Sequence, residues 1–387
     1  MLKCIIWGID KNVDYAFGLF TQNRPDVKIV YTGLDGKNYP YNVKNERPVL
    51  NPYKVIDLKK KYSADIILLA STGRYLDEEY KQLRRLGEEM IYALPSYLYQ
   101  KGKINAQDCN AMLTPYEELE PQMYYLEIHA ADHCNLNCKG CTHFSNIVPG
   151  KVFPNIQAFN NDMNRLKVLF QNIEFIRILG GEPLLNPNLH LILDIAKEAF
   201  PYSKIILVTN GILICKMSEK LIRSIQNNGI QITISVYPPI LKQLKEVEKF
   251  LKVNKIRYQF GERQNQYEVC NTFTKFMVID GKKNGMNSWI NCKRRRCHFL
   301  YNGKLYGCAM PALISYFNQY FDKYLYSESG IDIYADDIDG KSILNQLEAP
   351  NDMCNYCGEE QEFCWESRSK YALESDWCLD DEHKAGK

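Results

Sequence analysis

Short apolar runs separated by amphipathic stretches dominate the first hundred residues. The runs at 3–8, 27–31, 64–71 and 90–94 have the length of buried strands, and 77–86 has the spacing of a surface helix. Strand and helix in alternation predict a small Rossmann-like α/β unit on a parallel sheet over 1–105. The polar stretch between Pro115 and Pro121 interrupts that rhythm, so 106–122 reads as a linker. From 123 the alternation resumes, with strands expected at 124–130, 175–179, 204–208, 230–236, 256–260 and 276–279 and helical spacing at 213–226 and 240–251. Six strands with intervening helices predict an incomplete parallel barrel over 123–290, whose active residues gather at the C-terminal strand ends. Past 291 the pattern changes to a hairpin at 299–306, turning on Asn302-Gly303. It opens a cysteine-rich module over 291–380, followed by an acidic, lysine-containing tail at 381–387. The fold class is α/β throughout.

At 387 residues the chain exceeds the usual size of one core, in keeping with two or three packed units. Hydrophobic residues at 45% and charged residues at 24% are the balance of an ordinary globular protein, which excludes disordered and fibrous classes. A net charge of +2 gives no general attraction to nucleic acid or anionic membranes, and neither is expected as a partner. No apolar run is long enough to span a bilayer, and the first residues lack the apolar core and cleavage site of a signal peptide, which predicts a cytoplasmic protein. The first turn, Gly8-Ile9-Asp10-Lys11-Asn12-Val13, has one of the glycines that let a backbone approach a pyrophosphate, so the first unit is expected to dock or recognise rather than to bind a dinucleotide.

The chain has 14 cysteines, and with no export signal they point to metal ligation before disulfides. Cys134, Cys138 and Cys141 follow the first barrel strand as C-x3-C-x2-C. Three thiolates at this spacing can hold one iron-sulfur cluster and leave its fourth iron open. The same spacing also suits zinc, with His133 or His143 as a fourth ligand. After the second strand comes Gly180-Gly181-Glu182-Pro183, where two glycines allow close backbone approach and a carboxylate awaits a cationic group. A zinc module has no use for that loop. Near the other cysteines, His129 and His298 are read, like His133 and His143, as hydrogen-bonding residues with no catalytic role.

These two motifs, in this order at these strand ends, resemble the radical S-adenosylmethionine (SAM) superfamily over about 124–279. The resemblance implies a SAM-binding 4Fe-4S cluster on Cys134, Cys138 and Cys141, with the open iron chelated by SAM and Gly180, Gly181 and Glu182 holding its amino group. It also implies SAM contacts from Thr209 and Asn210 after the third strand and Ser235 after the fourth, and an external reductase, flavodoxin or ferredoxin as electron donor. Members often carry an aromatic residue before the third cysteine, where this chain has Gly140.

Cys308 with Cys292 or Cys297, then Cys354 and Cys357, resemble the auxiliary-cluster modules called twitch and SPASM. In the SPASM pattern a cysteine comes five residues after the C-x2-C and another three later. Here Cys364 follows after six and Cys378 much further on, so one twitch-type 4Fe-4S cluster is implied. A structural zinc ribbon is the alternative use of these residues. The run Lys293-Arg294-Arg295-Arg296 is either a solvated face or a site for a substrate phosphate. Together with a loose resemblance of 1–105 to domains of surface-polysaccharide enzymes, it points to a small sugar-derived or nucleotide-linked substrate undergoing hydrogen abstraction. Maturation of a ribosomal peptide and a non-redox zinc-binding protein are the alternatives.

Overall fold

The computed structural model describes residues 1–35, 49–50, 52–261, 269–270, 272–325, 330–368 and 371–379. The expected tail at 381–387 lies outside them. The chain divides into two compact units, Met1–Tyr124 with Phe170–Glu174, and Tyr125–Leu169 with Phe175–Lys387.

In the first unit, strands β1 (Leu2–Gly8), β2 (Val27–Asp35), β3 (Val49–Leu50), β4 (Ile66–Leu69), β5 (Ile91–Ala93) and β6 (Thr114–Pro115) form one sheet in the order β3-β2-β1-β4-β5-β6. All pairs are parallel except β5 with β6. Helices α1 (Asp10–Asn23), α2 (Pro52–Tyr62) and α3 (Gly73–Arg85) alternate with the strands. Burial on both faces explains the unbroken apolar runs. Cys4, Ile6 and Leu68 pack in one core with Phe20, while Trp7, Ile67 and Leu69 pack in another with Leu83. A side chain at Gly8 would fall 2.7 Å from the carbonyl carbon of Ala70, so this glycine serves strand packing.

The stretch read as a linker is folded. It carries α4 (Ala106–Ala111) and β6 and belongs to the first unit. Asn105 accepts from the Asp108 amide at 2.9 Å and Asp108 accepts from the Asn105 amide at 2.8 Å, a capping box made with Asn and Asp in place of the usual Ser/Thr and Glu. Six residues of helix show no apolar periodicity, which is why the polar composition misled.

The chain then runs through β7 (Gln122–Ala131), β8 (Asn172–Gly180), β9 (Lys204–Thr209), β10 (Gln231–Ile234) and β11 (Arg257–Phe260), alternating with α5 (Ile156–Leu169), α6 (Leu189–Ala199), α7 (Glu219–Asn227) and α8 (Leu244–Val253). Among the described residues these strands belong to an eight-stranded sheet, ordered β11-β10-β9-β8-β7-β13-β14-β15. Strands β8 to β11 are mutually parallel. Helix α7 shows how the pattern works. Ser218 caps it through the Leu221 amide at 3.3 Å, and Leu221, Ser224 and Ile225 turn one stripe inward.

The sixth barrel strand departs from expectation. β12 (Thr272–Met277) does not join this sheet but pairs antiparallel with β16 (Cys357–Cys364). Its sequence Thr-Phe-Thr-Lys-Phe-Met is more polar than the continuous apolar runs of the parallel strands, and only its last two residues are buried. Beside β7 lies β13 (Phe299–Tyr301), followed by β14 (Lys304–Tyr306) and β15 (Ile331–Asp332). The β13-β14 hairpin turns on Asn302 at φ 48° and Gly303 at φ 73°, as its Asn-Gly pair predicts. Helices α9 (Gly285–Asn291), α10 (Ala309–Phe321) and α11 (Gly340–Leu347) complete the module, whose core joins Phe144, Phe299, Leu313, Phe317 and Trp377. Barrel and cysteine-rich module thus share one unit, where the sequence suggests a boundary at 290.

Candidate functional site

The cysteine loop leaves the C-terminal end of β7. Cys134 Sγ accepts from the Leu136 amide at 3.3 Å and lies 3.8 Å from the Asn210 side-chain amide. Cys138 is buried and accepts from the Trp365 indole N–H at 3.2 Å. Burial pushes the Cys138 thiol up to about 12 and that of Cys134 higher still. Each is raised further by its neighbours, because Cys134 senses Cys141 and Cys138, and Cys138 senses Cys141. None is in a disulfide. Thiols that share one loop and resist ionisation until a cation joins them are a donor set suited to a cluster of several irons, while among the described residues no three His, Cys, Asp or Glu side chains are grouped around a single ion.

The glycine loop is built against the same backbone. Gly181 donates its amide to the Ala131 carbonyl at 2.8 Å, and Glu182 donates to the His133 carbonyl at 3.1 Å. A Cβ at Gly180 would collide with the Ala131 carbonyl and one at Gly181 with that of His133, so both glycines fix how closely this loop approaches the cysteine loop. Glu182 is fully buried. Its carboxylate accepts from Thr209 Oγ1 at 2.7 Å, the Asn210 amide at 2.9 Å and the Leu184 amide at 3.0 Å. Burial outweighs those donors and pushes its pKa up to about 7. This carboxylate braces the end of β9. Asn210 then passes the restraint on, donating to Asn135 Oδ1 at 2.7 Å. Ser235 follows β10 beside Thr209, donating its amide to the Thr209 carbonyl at 2.9 Å.

Several residues of this site carry no motif. The segment after β16 runs along the cysteine loop: the Lys139 amide donates to the Glu366 carbonyl at 2.9 Å, and the Arg368 amide to the Asn137 carbonyl at 2.7 Å. Trp377 Nε1 donates to the Cys141 carbonyl at 2.7 Å. Gly140, at φ 61°, explains its own departure from the family, since a side chain there would strike the Asp376 carbonyl and the Phe363 ring. Beside the loop, His129 Nδ1 meets Asp132 at 2.7 Å and His129 Nε2 meets His143 at 3.1 Å. Asp132 also accepts from Tyr301 at 2.7 Å and Tyr316 at 2.6 Å. Burial drives the His143 pKa down to about 3, so its ring is neutral and serves hydrogen bonding.

Four further cysteines lie at Cys292 after α9, Cys308 before α10, Cys354 in the turn Asp352–Tyr356, and Cys357 at the start of β16. Cys308 senses Cys357, Cys292 and Cys354, and Cys357 senses Cys354 and Cys292. Burial pushes Cys357 up to about 12. The turn is held by the Asn355 carbonyl, which accepts from the Lys283 amide at 3.1 Å, and by Ser288 Oγ, which donates to the Cys357 carbonyl at 2.6 Å. Cys297, the competing first ligand, also senses Cys292 but sits against Glu127 and Arg177. Its thiol is raised to about 12, first by burial and then by Glu127, with Arg177 opposing. Cys364 is exposed at the end of β16, and Cys378 is buried in the core against which Cys308 and Cys357 also pack.

The basic run is engaged within the module. Lys293 and Arg294 both pair with Glu360, and Arg294 also lies 4.4 Å from the Phe276 ring centre. Arg295 sits 4.9 Å over Trp289, and Arg296 pairs with Glu348 at 2.6 Å. The run is a structural seam, and it lends no support to a substrate-phosphate site.

The pattern of the Radical SAM superfamily matches residues 128–262. Over 103 residues the chain is 32% identical to a GTP 3',8-cyclase of Trichodesmium erythraeum (strain IMS101), covering 26% of this chain and 31% of that protein. Over 145 residues it is 26% identical to Molybdenum cofactor biosynthesis protein 1 of Dictyostelium discoideum, covering 36% and 22%. The chain therefore spans about a third or less of the length of these curated relatives. Among solved structures, BtrN in complex with AdoMet and 2-DOIA aligns over 62% of this chain and 95% of that one, at 16% identity and a TM-score of 0.35. Among the described residues no helix is long and apolar enough to cross a membrane. The family uses a 4Fe-4S cluster and SAM, and residues 128–262, which hold both motifs, are a radical SAM superfamily domain.

Proposed function

We propose that this chain binds a 4Fe-4S cluster at Cys134, Cys138 and Cys141, cleaves SAM reductively, and abstracts a hydrogen atom from a carbohydrate or nucleotide-linked sugar. The outcome is dehydrogenation, epimerisation or deoxygenation. The observation that carries this reading is the docking of the Gly180-Gly181 loop on the backbone of Ala131 to His133, immediately before the three-cysteine loop.

With one electron from an external flavodoxin, ferredoxin or reductase, a bound cluster and SAM together supply methionine and a 5'-deoxyadenosyl radical, which takes the substrate hydrogen. The chain's own residues fix the geometry. Leu136 and Trp365 donate to the sulfurs, Glu182 locks the end of β9, and Asn210 ties that end to Asn135. Gly180, Gly181, Thr209, Asn210 and Ser235 form the rim on which SAM rests, and the buried surround keeps water from the radical. Cys292, Cys308, Cys354 and Cys357 hold an auxiliary 4Fe-4S cluster, with Cys297 outside the set. The sugar class is supported by the loose likeness of the first unit to polysaccharide-pathway domains. The partial relatives named GTP 3',8-cyclase agree with a nucleotide-bearing substrate.

The test is anaerobic protein given dithionite, SAM and ring-deuterated nucleotide sugars. Deuterium in 5'-deoxyadenosine supports the reading. Transfer from a peptide and from no sugar would replace the substrate class, and zinc without iron or sulfide would overturn the enzyme itself.

A further inference from the structure

The segment after β16 reaches the cysteine loop through a side chain aimed at sulfur. Trp365 donates Nε1–H to Cys138 Sγ at 3.2 Å, and two residues on Ser367 pairs with Cys138 as an antiparallel bridge. The indole has little freedom. It stacks on Tyr237 with 6.1 Å between ring centres and planes 24° apart, and Tyr237 meets Phe273 edge-on at 5.8 Å. Phe273 in turn meets Phe363 edge-on at 6.2 Å. Backbone and rings together hold the donor on the sulfur.

A hydrogen bond donated to a cluster sulfur draws off negative charge, and the reduced cluster carries one charge more than the oxidised. The bond therefore favours reduction. We propose that Trp365 is a positioning residue that sets the reduction potential of the cluster held by Cys134, Cys138 and Cys141, an inference that rests on the function proposed above. Strand β16 begins at Cys357 of the second group and ends one residue before Trp365, so one strand joins that group to the radical-forming centre. Gly140 makes room for this arrangement where the family often has an aromatic residue of its own.

The experiment is a redox titration of the full anaerobic protein, following the electron paramagnetic resonance signal that responds to SAM. Trp365→Phe keeps a ring and removes the N–H. The expected result is a reduction equilibrium about tenfold less favourable, a midpoint about 59 mV more negative for a one-electron couple. Iron and sulfide content should be unchanged. Trp7→Phe, which removes an indole N–H in the core of the first unit, should leave the midpoint where it is. An unshifted midpoint in loaded Trp365→Phe overturns the proposal. If that variant fails to load, wild type grown with indole-15N tryptophan decides. Hyperfine coupling of 15N to the SAM-responsive cluster, persisting in Trp377→Phe, supports it, and no coupling overturns it. Wild type without any SAM-responsive signal would instead defeat the parent reading.

Discussion

Cys134, Cys138 and Cys141 lie on one loop, while Cys292, Cys308, Cys354 and Cys357 come from a helix end, a helix start, a turn and a strand of the module. The first group presents three thiols and is positioned by neighbouring backbone, with glycines where any side chain would collide. The second presents four. Three donors leave a cluster iron open to an exchangeable ligand, whereas four close the site. On the function proposed above, the contrast separates a centre that does chemistry on a bound molecule from one that stores electrons or holds structure.

The largest way to break the comparison is to remove a thiol from the open group. Cys134→Ala or Cys141→Ala should reduce 5'-deoxyadenosine formation to background by chromatography, and wild-type turnover in either would end the assignment. Next is the backbone approach that shapes that group. Gly181→Ala places a methyl against the His133 carbonyl, a backbone atom that cannot swing aside, and should cost about 3 kcal/mol in denaturant unfolding. Full stability would mean that the two loops are less tightly coupled than their hydrogen bonds indicate. Cys308→Ala sharpens the other side: iron should fall from about eight to about four per chain while the SAM-responsive signal persists. The smallest effect is expected from Cys297→Ser, which should leave iron content unaltered. A fall to about four irons would place Cys297 among the ligands.

Legibility in the sequence followed the same contrast. The parallel strands announced themselves as apolar runs, and the two loops of the open site each lie within a few consecutive residues, so spacing revealed them. The surroundings of Cys292 and Cys297 are set by residues distant in sequence, such as Cys308, Cys357 and Glu127, which spacing does not carry. The Gly140 departure was visible, but its cause lies in Phe363 and Asp376, more than two hundred residues away. Trp365, Tyr237 and Trp377 carry no pattern, because aromatic residues that serve a site look in sequence like those that serve a core. The capping box at Asn105 and the polar residues of β12 were readable signals. A polar composition masked one, and the count of six barrel strands masked the other.

The central claim is that the three-cysteine loop holds the cluster that meets SAM. The most direct measurement is the electron paramagnetic resonance spectrum of reduced protein in which Cys292, Cys308, Cys354 and Cys357 are replaced by alanine, recorded with and without SAM. A retained cluster signal whose shape changes on adding SAM is the predicted result. A signal indifferent to SAM, or retained after Cys134, Cys138 and Cys141 are replaced as well, would contradict it.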